Sequence, residues 1–206
     1  MDNSGLSHFE KVIAAPKWFF VLVLFVCMAC NSNFVPKPRG YFKIELPEKK
    51  YQVFDQPSYP YTFEYPTYAK VVKDSTFFGD VTENPWWINV DFPQFNGRIY
   101  VSYKQIGVNS FNKLLNDAFA LTNKHTSKAS SIDDSIINTP NNIHGMFFKV
   151  GGSVATANQF FVSDSIKHFL RGALYFDATP NEDSLVEVNE FLLKDMKHMI
   201  NTFKWK

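Results

Sequence analysis

Four histidines in the body of the chain, His125, His144, His168 and His198, are the side chains best suited to bind a metal or move a proton near neutral pH. Their spacing argues against both roles. No pair falls at i, i+4 on a helical pattern, and no cysteine lies near enough in sequence to complete a ligand set. His144 beside Gly145 and His168 in mid-strand read as partly buried imidazoles with satisfied hydrogen bonds. Asp91 and Glu64 fall in predicted strands and could form a carboxylate pair for acid–base work, but nothing in the sequence sets their separation. Arg171 with Asp164 or Asp177 reads as surface pairing of small energetic value. Gly151-Gly152-Ser153 has turn composition and lacks the G-x-S-x-G nucleophile elbow, and no P-loop or dinucleotide fingerprint occurs. The two cysteines, Cys27 and Cys30, both precede the predicted domain, so thiol catalysis within it is excluded. The expectation is a non-enzymatic binding or assembly component with no cofactor and no metal.

Cys30 invites a different chemistry. Lys11 and Lys17 precede the apolar run from Trp18 to Met28, which ends in Ala29-Cys30. That is the three-part layout of a secretory signal. As a helix, ~12 apolar residues cover roughly 18 Å, short of the ~30 Å hydrocarbon core. A small residue before Cys30 and the polar Asn31-Ser32-Asn33 after it resemble a bacterial lipoprotein signal. Cys27 departs from that pattern, standing where leucine is usual. The resemblance implies cleavage after Ala29 and acylation of Cys30, with the lipid bilayer as first partner. Several acyl chains at ~0.8 kcal/mol per buried methylene would make the anchoring lasting. An uncleaved anchor helix, or cleavage elsewhere, stays open as the alternative.

These readings divide the chain into a signal peptide at 1–29, a tether at 30–40 and one domain at 41–206. Removing residues 1–29 takes away two lysines and two acids, so the net charge stays +1. A near-neutral chain offers no electrostatic footprint for nucleic acid and no basic run to grip anionic headgroups. Without a cysteine, the exported domain must rely on its core alone. The 22 phenylalanines make that core aromatic, with rings to spare for a contact surface.

Pro36 and Pro38 favour an extended tether. Phe42, Ile44 and Leu46 alternate with Lys43 and Glu45, predicting a half-buried strand over 41–46. Residues 51–68 are rich in Tyr and Pro, with Tyr61, Phe63 and Tyr65 alternating on a short strand. A short apolar run holds Val71-Val72. Trp86–Phe92 and Arg98–Tyr103 flank Asn96-Gly97 and predict an antiparallel hairpin, its end made irregular by Pro93. A helix capped by Asn109 or Ser110 carries Phe111, Leu114, Leu115, Ala118, Phe119 and Thr122 at helical spacing. Residues 126–142 are polar and read as a loop or a turn with short pieces of structure. Runs at 143–150, 154–162 and 166–176, parted by turn residues, predict a β-meander. In its last run neither face is purely polar, so both sides of the sheet are covered in part. The closing helix is expected to be capped by Thr179 with Pro180 as its first residue, and its stripe runs Leu185, Val188, Leu192, Met196, Met199, Phe203.

The sum is an α+β domain, an antiparallel β-sheet with helices packed on it. The element order, and the closing Thr202-Phe203-Lys204-Trp205, resemble the PsbP-type α/β sandwich. For function, Tyr59, Tyr61, Tyr65, Trp86 and Trp87 are candidate partner-docking residues, because Trp and Tyr dominate interface energetics. The plainer reading packs these rings on the sheet, with alternation burying one tryptophan and leaving the other as cover.

Three stretches carry a family resemblance. They are Pro36-Lys37-Pro38-Arg39-Gly40-Tyr41-Phe42, Asn84-Pro85-Trp86-Trp87-Ile88, and Gly151-Gly152-Ser153-Val154-Ala155-Thr156-Ala157-Asn158-Gln159-Phe160-Phe161. Together they resemble the gliding motility lipoprotein GldD family of Bacteroidota, over essentially the whole mature chain. The resemblance implies an envelope lipoprotein required for gliding, linked to type IX protein secretion, with other gliding and secretion machinery proteins as partners. Only Cys30 carries over as a functional residue. No acid follows Cys30 within Asn31-Ser32-Asn33-Phe34, so the expected location is the periplasmic face, at the outer membrane. The alternative is a periplasmic small-ligand-binding protein or weak enzyme with a pocket between sheet and helix. An apolar pocket gathering His168, Arg171 or His144 would favour that alternative.

Overall fold

The computed structural model describes Trp18 and residues 44–77 and 79–206. The expected signal peptide, Cys30, the tether and the first residues of the predicted 41–46 strand lie outside the described residues. Lys43–Lys206 forms one compact unit.

Strands β1 (Tyr51–Phe54) and β2 (Tyr61–Pro66) come first, then β3 (Lys70–Lys73) and a two-residue pair, β4 (Thr76–Phe77) and β5 (Asp80–Val81). β6 (Ile88–Phe92) and β7 (Gly97–Gln105) are antiparallel neighbours. The Asn96-Gly97 expectation holds in a modified form. Pro93–Phe95 makes a 3-10 turn, and Asn96 alone takes the left-handed conformation, at φ 47°. Helix α1 (Phe111–Asn123) follows. The meander is β9 (His144–Gly151), β10 (Asn158–Ser163) and β11 (His168–Phe176), with β8 (Ser131–Asn138) before it. Helix α2 (Glu182–Thr202) and β12 (Lys204–Trp205) close the chain.

One antiparallel sheet dominates, ordered β3-β6-β7-β11-β10-β9-β8, and a smaller sheet is ordered β1-β2-β12. Strand alternation sends residues to two different cores. On one face Val90, Ile99, Val101, Phe160, Val162, Leu170 and Leu174 pack against α2 and the small sheet in a single large cluster. On the other face Phe148, Phe161 and Phe169 meet Leu114 and Ala118 of α1. This two-sided burial explains why neither face of β11 is polar. Gly172 has its own reason, because a Cβ there would come within 2.3 Å of the Phe160 ring.

Three expectations are corrected. Ile44 and Leu46 are 40% and 42% exposed and belong to no strand, although their spacing alternates. Pro47 interrupts the run, and pairing begins at Tyr51, which meets Pro66 of β2. The polar segment read as a loop or turn with short pieces of structure contains a full eight-residue strand, β8, an edge strand paired with β9. Its side chains are almost all exposed, so it carries no alternation to detect. The α2 cap is Asn181 rather than Thr179. The Asn181 side chain accepts from the Ser184 N–H at 3.2 Å, and Glu182 and Asp183 favour the positive end of the helix dipole. Asparagine caps as well as threonine, and Pro180 simply precedes it.

A buried charge ties α2 to the segment around β1 and β2. Asp195, 2% exposed, accepts from Lys49 Nζ at 2.7 Å, from the Tyr51 hydroxyl at 3.0 Å and from the Tyr68 hydroxyl. Lys49 also donates to the Phe191 carbonyl at 2.9 Å, and its ammonium lies 3.2 Å from the Phe191 ring centroid. Burial lowers the Lys49 pKa, opposed by Asp195. Burial and the carboxylate raise Tyr51 to about 12, so both hydroxyls stay protonated donors. Removing the carboxylate strands a half-buried ammonium and two hydroxyls. Asp195→Ala is expected to cost about 3 kcal/mol, at the lower end for a broken buried pair because Lys49 keeps some water contact. Urea denaturation of the variant beside the wild type measures it.

Candidate functional site

The docking residues separate by burial. Tyr61 is fully buried; its hydroxyl donates to the Trp86 carbonyl, and its ring stacks on Phe203. Trp87 is 8% exposed, and its indole N–H donates to the Tyr103 carbonyl at 2.8 Å. Both are therefore core residues, which corrects their reading as a protein-docking surface. Strand alternation along β2 turns Tyr61 and Phe63 into the core. Trp87 is drawn under the sheet rim by its bond to β7. Tyr59, Tyr65 and Trp86 are half-buried, and the Trp86 indole donates to the Ser58 carbonyl at 2.7 Å. Tyr59 and Trp86 are thus bound to one stretch, while Tyr65 lies further along β2.

The histidines do not converge. His168 is buried, stacked on Trp205 with ring centroids 4.9 Å apart, and its Nδ1 lies 2.6 Å from the Tyr103 hydroxyl. His198 Nε2 meets Glu64 at 2.7 Å, and its ring stacks on Tyr51. His144 is exposed on β9. Glu64 is thereby committed to His198, and Asp91 accepts two bonds from Arg98 at 2.6 and 2.9 Å, so the carboxylate pair does not form. Asp164 accepts from the backbone N–H groups of Ile166, Lys167 and His168 and shapes the β10–β11 turn rather than pairing with Arg171. Among the described residues no group of three His, Cys, Asp or Glu could hold a metal.

What does converge is a cleft between α1 and the sheet. α1 covers β9, β10 and β11 on its face but leaves β6 and β7 uncovered. The uncovered strands present Asp91, Arg98, Tyr100, Ser102 and Lys104, all partly exposed, while Asn89 is buried. Where the helix edge meets this open face, a cleft of about 370 Å³ is lined by Trp87, Leu114, Leu121, Phe169, Arg171 and others from the same elements. Register places Arg171 opposite Ser102 and Phe169 opposite Lys104. The Arg171 guanidinium donates to Gln159 Oε1 and bonds the Tyr175 hydroxyl. Burial pulls Arg171 below its ordinary range, and Tyr175 partly opposes this. Gln159 Oε1 also accepts from Thr122 of α1 at 3.5 Å, while Gln159 Nε2 is buried without a partner. Lys104 is neutralised by Glu83, which also accepts from Asn109 at 2.7 Å. Of the three residues named in advance for a sheet–helix pocket, Arg171 lines this one, and His168 and His144 do not. The residues that sequence reading missed, Gln159, Thr122 and Leu121, sit on elements it located. The signal was a polar Gln159 and a charged Arg171 beside the apolar runs Phe160-Phe161-Val162 and Phe169-Leu170.

Fold and cleft define the class: a small α+β domain whose main antiparallel sheet is packed on both faces and carries a helix-walled cleft on one of them. The α+β expectation is met. The chain belongs to the gliding motility lipoprotein GldD family, which matches residues 31–205. It is accordingly a gliding-motility-associated lipoprotein of the cell envelope. Among solved structures, the solution structure of cyanobacterial PsbP (CyanoP) from Synechocystis sp. PCC 6803 is similar. It has 10% identity and a TM-score of 0.45, over 83% of this chain and 99% of that one. A likeness that loose carries no functional argument. No curated protein matches the chain.

The buried His168 gives the domain a pH dependence. Its pKa lies below the ordinary value, chiefly from burial, with Asp164 opposing. Below an unfolded imidazole pKa of ~6.5 the unfolded chain therefore binds more protons than the folded one. Stability present above that pH is lost as pH falls through it, and His125 acts in the same direction. Urea midpoints at pH 7.5 and 5.5 are expected to fall in the wild type and to fall less in His168→Gln. Equal slopes would remove His168 as the source.

Proposed function

We propose that this chain is a lipid-anchored, non-catalytic component of the gliding machinery with a link to type IX protein secretion. The family match over residues 31–205 carries the reading. In it, Cys30 is acylated after removal of residues 1–29, and 30–40 acts as a leash. The domain from 41 onward hangs from the outer membrane into the periplasm. Partner proteins of the same machinery dock on the half-buried aromatic shoulder, Tyr59 and Trp86, and on Tyr65 further along β2. The small-ligand alternative draws on one observation, the cleft beneath α1, and is compatible with the anchored reading.

Intact mass of the membrane-extracted protein, wild type beside Cys30→Ala, tests the anchor. A lipid-sized increment lost in Cys30→Ala, together with lost gliding, is expected. An unmodified mass retaining residues 1–29 would contradict it. Protease shaving of intact cells should spare the domain if it faces the periplasm. A Tyr59→Ala/Trp86→Ala variant that folds is expected to reduce gliding at unchanged protein level, and full gliding would remove the docking role from that shoulder.

A further inference from the structure

Arg171 and Asp195 are both charges drawn out of water, but they are compensated differently. Asp195 has an ammonium and two hydroxyls. Among the described residues no carboxylate lies within ion-pair distance of Arg171. Its bonding partners, Gln159 and Tyr175, are neutral. A guanidinium held against neutral partners in an apolar setting is costly until an anion completes it.

The cleft supplies room for that anion. Its volume, about 370 Å³, lies at the lower end of the range for small-molecule sites. It fits one ring or a short chain rather than a long acyl chain or a peptide. Trp87, Phe169, Leu114 and Leu121 make the walls apolar. The charges on the lining are Arg171, Lys124, Lys104 and Asp117, and Lys104 is matched by Glu83. The balance is positive and small, which suits a single negative charge. A planar carboxylate matches the guanidinium fork better than any other common anion of that charge.

We propose that this cleft is a binding site for a small monocarboxylate with an apolar, ring-sized body. The carboxylate lies on the Arg171 guanidinium, and the body lies between the Trp87 and Phe169 rings and the α1 side chains. Gln159 and Tyr175 hold the guanidinium at the floor of the cleft. The inference goes beyond the anchored role and does not depend on Cys30.

The test uses the full chain in lipid nanodiscs, with empty nanodiscs as blank. Binding of 3-(4-fluorophenyl)propionate, its uncharged amide and the matched 3-(4-fluorophenyl)propyl phosphate is read by fluorine NMR. Saturable binding of the carboxylate is expected, with the amide weaker by about tenfold or more. Arg171→Gln is expected to weaken the carboxylate by a similar factor, and Leu121→Asp to abolish binding by placing a like charge in the cleft. Leu121 is 38% exposed, so that variant leaves the core intact and decides the matter if Arg171→Gln fails to fold by circular dichroism. No saturable binding above the blank, equal affinity for acid and amide, or unchanged affinity in the folded variants overturns the site. Tighter binding of the phosphate overturns the carboxylate assignment.

Discussion

The structure depends on covering both faces of one broad antiparallel sheet. The seven-stranded sheet buries apolar residues on both of its faces, and each face needs its own partner. One face is covered by the 21 residues of α2 together with the small sheet β1-β2-β12. The other receives the 13 residues of α1, too few to reach every strand. The uncovered strands β6 and β7 answer with polar and aromatic residues, including the Arg98–Asp91 pair and the Tyr100–Tyr175 edge contact. The cleft is the seam where the short helix stops and the polar face begins.

The same constraint explains where the charges went. The α2 face is closed, so the carboxylate buried there, Asp195, must be satisfied within the protein, and it is. The α1 face is open on one side, so Arg171 can keep a guanidinium partly unmatched at the seam without an internal counter-ion. Closed cores complete their own polar networks because water cannot enter to do it. A half-closed seam can leave that task to solvent or to a ligand. The contrast between the two residues locates the cleft as the part of the domain suited to recognition.

In the proposed arrangement, an acylated tether and a domain of this kind would divide the work physically. The lipid would hold position through the apolar burial of its chains, while the near-neutral chain adds no electrostatic pull toward anionic headgroups. Its surface is then free for contacts of other kinds. The aromatic richness of the sequence is spent mostly inside: Tyr61, Phe63, Tyr103, Phe160 and Phe203 are all nearly inaccessible. The shoulder of Tyr59 and Trp86 is a remainder of that core which reaches the surface.

The sequence alone determined whatever depends on neighbours along the chain. The α1 and α2 stripes, the β6–β7 hairpin and the meander all rest on periodicity or turn chemistry within a few residues. The family resemblance was equally legible there, in three short stretches. Tertiary structure alone decided the features that depend on partners far away in sequence. β8 exists because β9 offers an edge, not because its own residues alternate. Ile44 and Leu46 alternate, yet no strand accepts them. Trp86 and Trp87 are adjacent, but only the bond from Trp87 to β7 shows which one is buried. Asp195 sits on a helical pattern like any surface acid until Lys49, Tyr51 and Tyr68 arrive from 127 to 146 residues away. Arg171 looked like one half of a surface pair, and only the sheet register set it beside neutral Gln159 at the edge of α1. Local pattern reports what a segment can do by itself, while burial and charge compensation are properties of assembled surfaces.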